Sequence, residues 1–194
     1  MKEQCRVGKR KTYSYCDMET DGGGWLVIQR RLNGTVSFDR TLEEYENGFG
    51  DASSEFWYGL KNILCFTQDN NDVELQIDLE YPNGNRGFVH YKHFTISASS
   101  SYQASTTAFK TSPGVSSNFN RYRPYFYVKA HCGSNVGGWW DTGCHGNPNG
   151  PGAGQNSNVY AMWNGDVVTK TEIKIRQRSC KINPALQCKY WQGY

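Results

Sequence analysis

The sequence predicts an α+β domain: a central twisted antiparallel sheet with short flanking helices, a loop-rich binding subdomain and disulfide staples. Three observations predict it. Val73, Leu75, Ile77 and Leu79 alternate with Glu74, Gln76, Asp78 and Glu80, the pattern of a strand with one buried face and a charged outer face. Thr41 followed by Glu44, and an apolar stripe from Phe56 to Leu64, give two short helices. Seven cysteines (Cys5, Cys16, Cys65, Cys132, Cys144, Cys180 and Cys188) point to an oxidising compartment, with one thiol left over.

Size and charge set further bounds. A protein of 194 residues builds one domain with a proper core. A net charge of +3 is too small for nucleic-acid binding, and no run approaches the roughly 20 apolar residues that span a bilayer. Residues 39–80 are acidic, whereas residues 81–140 contain no Asp or Glu and carry Arg86, Lys92, Lys110, Arg121, Arg123 and Lys129 unopposed. That basic block favours anionic ligands and salt-sensitive binding. Residues 1–20 read as a truncated N-terminal part, because Met1-Lys2-Glu3-Gln4 runs into a basic, cysteine-bearing patch and not a secretory signal. Residues 21–96 and 159–177 read as the sheet subdomain, 97–158 as the loop-rich subdomain and 178–194 as an extension.

In sequence order, Gly22-Gly23-Gly24 supplies a sharp turn into the buried strand Trp25-Leu26-Val27-Ile28. Asn33-Gly34 predicts a hairpin turn after it. The same residues form the glycosylation sequon Asn33-Gly34-Thr35, read as turn first and glycan second. The Thr41 helix ends at Gly48, and a second helix starts at Ser53-Ser54-Glu55, its stripe Phe56, Trp57, Leu60, Ile63 and Leu64 reading as core. Cys65, inside the apolar run Ile63-Leu64-Cys65-Phe66, is expected to be a buried thiol. Pro82-Asn83-Gly84-Asn85 turns the backbone into a second strand over 86–96. The Ser/Thr-rich residues 97–120 read as loop, and the basic, aromatic residues 121–127 as packing beneath it. Residues 147–158, rich in Gly, Asn and Pro, are a further loop, and Ile173 and Ile175 mark a last strand over 171–177. Cys180 and Cys188 close a small loop around Asn183-Pro184, beside Tyr190 and Trp191.

The block at residues 132–145 admits three chemical readings. His131, Cys132, Cys144 and His145 make a zinc set, but zinc ligand pairs are usually a few residues apart so that they converge. Cys144 as nucleophile with His145 as base asks adjacent residues for a geometry they seldom reach. A Cys132–Cys144 disulfide instead stiffens a glycine-rich loop carrying Trp139 and Trp140. No G-x-S-x-G, H-E-x-x-H or phosphate-loop motif accompanies the block, so an enzyme is not expected.

Two stretches resemble a known family. CDMETDGGGW at residues 16–25, continued by Val27-Ile28-Gln29-Arg30-Arg31, resembles the opening of the main sheet in fibrinogen C-terminal (fibrinogen-related) domains. These are the recognition modules of fibrinogen, ficolins, angiopoietins and tenascins. Residues 132–145 resemble the C-x-x-x-x-G-G-W-W-x-x-x-C-H block that borders their ligand pocket. The resemblance implies a fibrinogen C-terminal-like fold and a Cys5–Cys16 bridge. It also implies a cis Gly143-Cys144 bond aiming a donor into a pocket lined by Trp140, Gly143, Cys144, His145 and Tyr160.

Two departures matter. Relatives hold calcium with aspartates just before the first cysteine of the pocket disulfide, whereas residues 116–131 contain no carboxylate, so no calcium and no other cofactor or metal is expected. The segment 146–159 is shorter than in relatives, and Tyr160 stands where they carry a tryptophan. The expectation is a secreted, extracellular, non-catalytic module of lectin-like, innate-immune type that binds carbohydrate or acetylated surface groups. The alternative is a protein–protein interaction or assembly module, such as a receptor ligand or extracellular matrix component; a protein receptor and a homo-oligomer are further partner expectations.

Overall fold

The computed structural model describes residues 2–7, 10–68, 72–98, 101–116, 125–129, 136–140, 146–150 and 161–178. The fold opens with β1 (Lys2–Val7) and β2 (Arg10–Asp17), then a single 3-10 turn (Thr20–Gly22) and β3 (Trp25–Arg31). Helix α1 (Leu42–Asn47), β4 (Phe49–Gly50), β5 (Phe56–Trp57) and α2 (Leu60–Gln68) follow. The long strands β6 (Val73–Glu80), β7 (Arg86–Ile96) and β8 (Ala104–Thr111) come next. Short β9 (Tyr127–Lys129), β10 (Val136–Trp139), β11 (Met162–Trp163) and β12 (Asp166–Val167) precede the last strand, β13 (Lys170–Gln177).

The main sheet is antiparallel and runs β1-β2-β3-β13-β6-β7-β8, with β5 and β4 added beside β3. Strand β13 slots between β3 and β6, setting Ile173 opposite Gln29 and Ile77, and Ile175 opposite Leu26 and Leu75. The apolar row Ile173, Ile77 and Val89 lies on one face and is fully buried, as are Leu60 and Ile63 of α2. Segments far apart in sequence therefore share one core, which joins the sheet into a single cooperative unit.

The opposite face carries charge. Register sets Lys174 across from Gln76, and Arg176 across from Glu74. The alternation predicted for β6 is present, but its outer face is not open to water throughout: Glu74 and Gln76 are buried. Residues 17–25 fold over that end. Arg176 donates to Glu74 (2.6 Å) and to the carbonyls of Asp21 (2.9 Å) and Gly23 (2.7 Å), with its guanidinium over the Trp25 ring. Lys174 reaches Asp17, Asp78 and Glu172. Burial alone would raise the Asp17 carboxyl, but Lys174 and the Thr20 and Glu19 amides hold it well below the carboxylate range.

Four expectations are corrected. Asn33-Gly34 makes no hairpin: the 32–36 loop instead wraps the buried Glu55 carboxylate, which accepts from the backbone N–H groups of Leu32 (2.6 Å), Asn33 (2.9 Å), Gly34 (2.8 Å) and Val36 (2.8 Å). Encircling a buried anion with backbone donors satisfies its charge in place of a strand partner. For the same reason Ser53-Ser54-Glu55 starts no helix; Phe56 and Trp57 pair with Arg30 and Gln29, and α2 begins only at Leu60. Residues 97–120 are not all loop, because Ala104–Thr111 pairs with β7 along its length. Cys65 is exposed, since α2 turns Leu60, Ile63, Phe66 and Thr67 inward and Cys65 away from them. The first helix stands as expected, with the full capping box at Thr41 and Glu44 and Gly48 at positive φ (90°) closing it.

Candidate functional site

Within residues 97–158 the described segment Gly137-Gly138-Trp139-Trp140 forms a buried base, and its neighbours show how that base is attached. Gly137 adopts φ +107°, and a Cβ there would overlap the Asn149 carbonyl; one on Gly138 would strike the Phe126 ring. The two glycines thus let the backbone lie against Asn149 and the aromatic core, a close approach no side chain permits. Trp139 and Trp140 meet edge to face with centroids 5.2 Å apart, and Trp140 packs likewise on Phe126 (5.1 Å) and Phe94 (6.0 Å).

Polar side chains then tie the base to the sheet. Asn147 Nδ2 donates to the Gly137 carbonyl (2.9 Å) and Asn149 Nδ2 to the Gly138 carbonyl (2.6 Å). From β3, Gln29 Nε2 donates to Asn149 Oδ1 (2.8 Å) and Arg31 Nη1 to the Asn149 carbonyl (3.1 Å), while Gln29 also bonds Thr171 of β13. From α1, the Tyr45 hydroxyl accepts from the Gly138 N–H (2.7 Å) and donates to the Phe38 carbonyl (2.8 Å). Burial pushes the Tyr45 phenol well above its ordinary range, against the opposing pull of the Gly138 N–H, so it stays neutral and serves both bonds. A buried network of this kind is rigid, because breaking any of its bonds strands a polar group away from water.

Of the five residues expected to line the pocket, only Trp140 is described, and it is buried. It is 1% exposed, and its indole N–H donates to the Tyr102 carbonyl (2.7 Å). Tyr102 holds that carbonyl in place from a left-handed backbone (φ 42°), its hydroxyl bonded to Glu46 (2.8 Å). Burial and that carboxylate push its phenol up to about 12. Gly143, Cys144, His145 and Tyr160 lie outside the described residues, as do Cys132, Cys180 and Cys188. In the sheet register, Cys5 sits opposite Thr12 and Cys16 opposite Leu26, with Cys16 buried. Sequence reasoning missed Tyr45, Asn147 and Asn149 as supports. Asn147-Pro148-Asn149-Gly150 looks like any exposed turn, and nothing in its composition signals burial.

The family profile described as "Fibrinogen beta and gamma chains, C-terminal globular domain" matches residues 4–185. The protein belongs to the fibrinogen C-terminal domain family. Ficolin-3 of Homo sapiens is 40% identical over 141 residues, which is 68% of this sequence and 47% of that protein. Angiopoietin-2 of Sus scrofa is 33% identical over 193 residues, 94% of this sequence and 35% of its own length. This fibrinogen-related domain thus spans about half of the first relative and about a third of the second. The fibrinogen-like globe domain of human ANGPTL6 superposes with a TM-score of 0.80 at 29% identity, covering 91% of this sequence and 88% of that one. The family drawn from residues 16–31 and 132–145, and the α+β globe fold, are both borne out. Among the described residues of the domain, no helix is long and apolar enough to cross a membrane.

Proposed function

We propose that this fibrinogen-related domain is a secreted, non-catalytic recognition module that holds carbohydrate or an acetylated surface group on its loop-rich lobe. One observation carries the reading: buried side chains tie the Gly137–Trp140 base to α1 directly and, through Asn149, to Gln29 and Arg31 of β3, with Gln29 in turn bonded to Thr171 of β13, a stiff mount for loops that contact ligand. On this reading His145, Tyr160 and the Gly143-Cys144 backbone make the contacts, and Trp140 supports them from below. The carboxylate-free block over 81–140 draws anionic glycans, so affinity falls as salt rises. With no carboxylate in 116–131, binding needs no calcium.

A glycan array at two salt concentrations, with and without chelator, tests this. His145→Ala and Tyr160→Ala are expected to lose binding at unchanged melting temperature, and chelator to change nothing. Binding indifferent to both substitutions sinks the assigned site; binding abolished by chelator sinks the calcium-free reading.

The exposed Cys65 favours a second reading, an assembly module whose copies are joined by disulfide. Non-reducing electrophoresis of wild type and Cys65→Ser decides it: a dimer band lost in the variant supports assembly, and monomer in both rejects it.

A further inference from the structure

The turn at Asn33–Thr35 uses only part of what its residues offer. Asn33 Oδ1 accepts from the Thr35 N–H (3.2 Å) and the Thr35 hydroxyl (2.9 Å), and Gly34 takes φ +78°. An acceptor oxygen is all this turn asks of position 33, and aspartate would supply it equally well. The Asn33 Nδ2 amide donates to nothing among the described residues, and Asn33 and Thr35 are both exposed. Glu55 clamps the loop from inside, so a group attached at Nδ2 disturbs no core contact.

A second observation concerns what lies beside it. Leu32 and Asn33 line a cleft of about 1100 Å³ on the charged face of the sheet, together with Asp78, Glu172 and Lys170. Apolar side chains line it beside the charged ones: Tyr15 lies under the Arg30 guanidinium (3.7 Å), Leu32 is 38% exposed and Met18 is 52% exposed. Apolar and charged side chains side by side suit a sugar, whose C–H face packs on the first while its hydroxyls bond the second.

We propose that Asn33 carries an N-linked glycan and that its first sugars lie across the mouth of this cleft, closing that face of the sheet to partners. The proposal rests on the secretion reading above. The donor is a polyprenyl-diphosphate-linked oligosaccharide: its sugar C1–O bond breaks, C1 bonds Asn33 Nδ2, the amide loses a proton to the transferase, and polyprenyl diphosphate leaves without redox change. The glycan then restricts ligand binding to the loop-rich lobe.

The 194-residue protein, fused to a cleavable secretion signal, is produced in animal cells, and both secreted and intracellular pools are mass-mapped before and after peptide-N-glycosidase. The expected result is a glycan on Asn33 whose removal leaves aspartate, a gain of about 1 Da. Asn33→Gln and Thr35→Ala abolish it, and Thr35→Ser retains it. A folded, secreted protein with bare Asn33 overturns the proposal and leaves secretion standing; a retained protein with glycan upholds the proposal and counts against secretion. For the placement, Met18 oxidation by peroxide is expected to be several-fold slower in the glycosylated protein than in Asn33→Gln. Equal rates overturn the roofing of the cleft.

Discussion

Glu55→Gln is the most searching test of the fold. The carboxylate is fully buried and holds four backbone N–H groups of the 32–36 loop, three on Oε1 and one on Oε2, with Arg31 3.9 Å away. Burial by itself would raise this carboxyl, but the amides of Val36, Gly34, Leu32 and Asn33 outweigh it and lower it from 4.5 to about 2. At about 1.4 kcal/mol per pH unit, that displacement is worth roughly 3 kcal/mol at neutral pH. Glutamine keeps one acceptor but turns an NH2 group toward the Val36 N–H, leaving that donor unsatisfied at a cost of about 1–3 kcal/mol. The variant should therefore lose about 3–5 kcal/mol of an ordinary domain stability of about 5–15 kcal/mol. Urea unfolding followed by tryptophan fluorescence from pH 7 to pH 2 measures this. Because the folded-state value lies below the unfolded one, the wild-type advantage is complete above pH 4.5 and fades as pH falls toward 2. Equal midpoints at pH 7, or a gap that does not change with acid, refute the clamp.

Three further substitutions probe the ties that mount the lobe and cover the charged face. Lys174→Met leaves Asp17, Asp78 and Glu172 facing one another without their cation, and should cost about 3–5 kcal/mol at neutral pH in denaturant unfolding. Acid should lessen that loss, as the Asp17 carboxyl no longer has Lys174 holding it down and protonates more readily. Tyr45→Phe strands the Gly138 N–H and the Phe38 carbonyl, costing about 1–3 kcal/mol, and hydrogen exchange at Gly138 should quicken. Gly137→Ala forces a Cβ against the Asn149 carbonyl at positive φ, so the melting temperature should fall and ligand binding with it; an unaffected variant rules out the close approach.

What was legible in the sequence had a local cause. The period of β6, the hairpin into β7 and the Thr41 capping box each write their signal within a few neighbouring residues, and each is present. Local signals misled where a distant group took over. Asn33-Gly34 turns the backbone as its chemistry says, but it turns around Glu55, some twenty residues on, and the helical spacing from Phe56 yields to pairing with β3. Polar sequence also hid β8, which among the described residues stands at the edge of the sheet, where a strand needs little apolar character. In the lobe, the Trp139-Trp140 pair was legible as a landmark, whereas its burial and its anchoring by Gln29, Asn147 and Asn149 were not.

The sequence by itself determined the family, the antiparallel sheet and the capped first helix, because motif spacing and side-chain periodicity are properties of consecutive residues. Only the tertiary structure decided that β13 runs between β3 and β6, that Lys174 and Arg176 are buried among carboxylates, and that Glu55 gathers a loop around its charge. Those outcomes depend on desolvation: which polar groups leave water together, and which partners are there to meet them, is set by the packing of segments from about twenty to more than 150 residues apart.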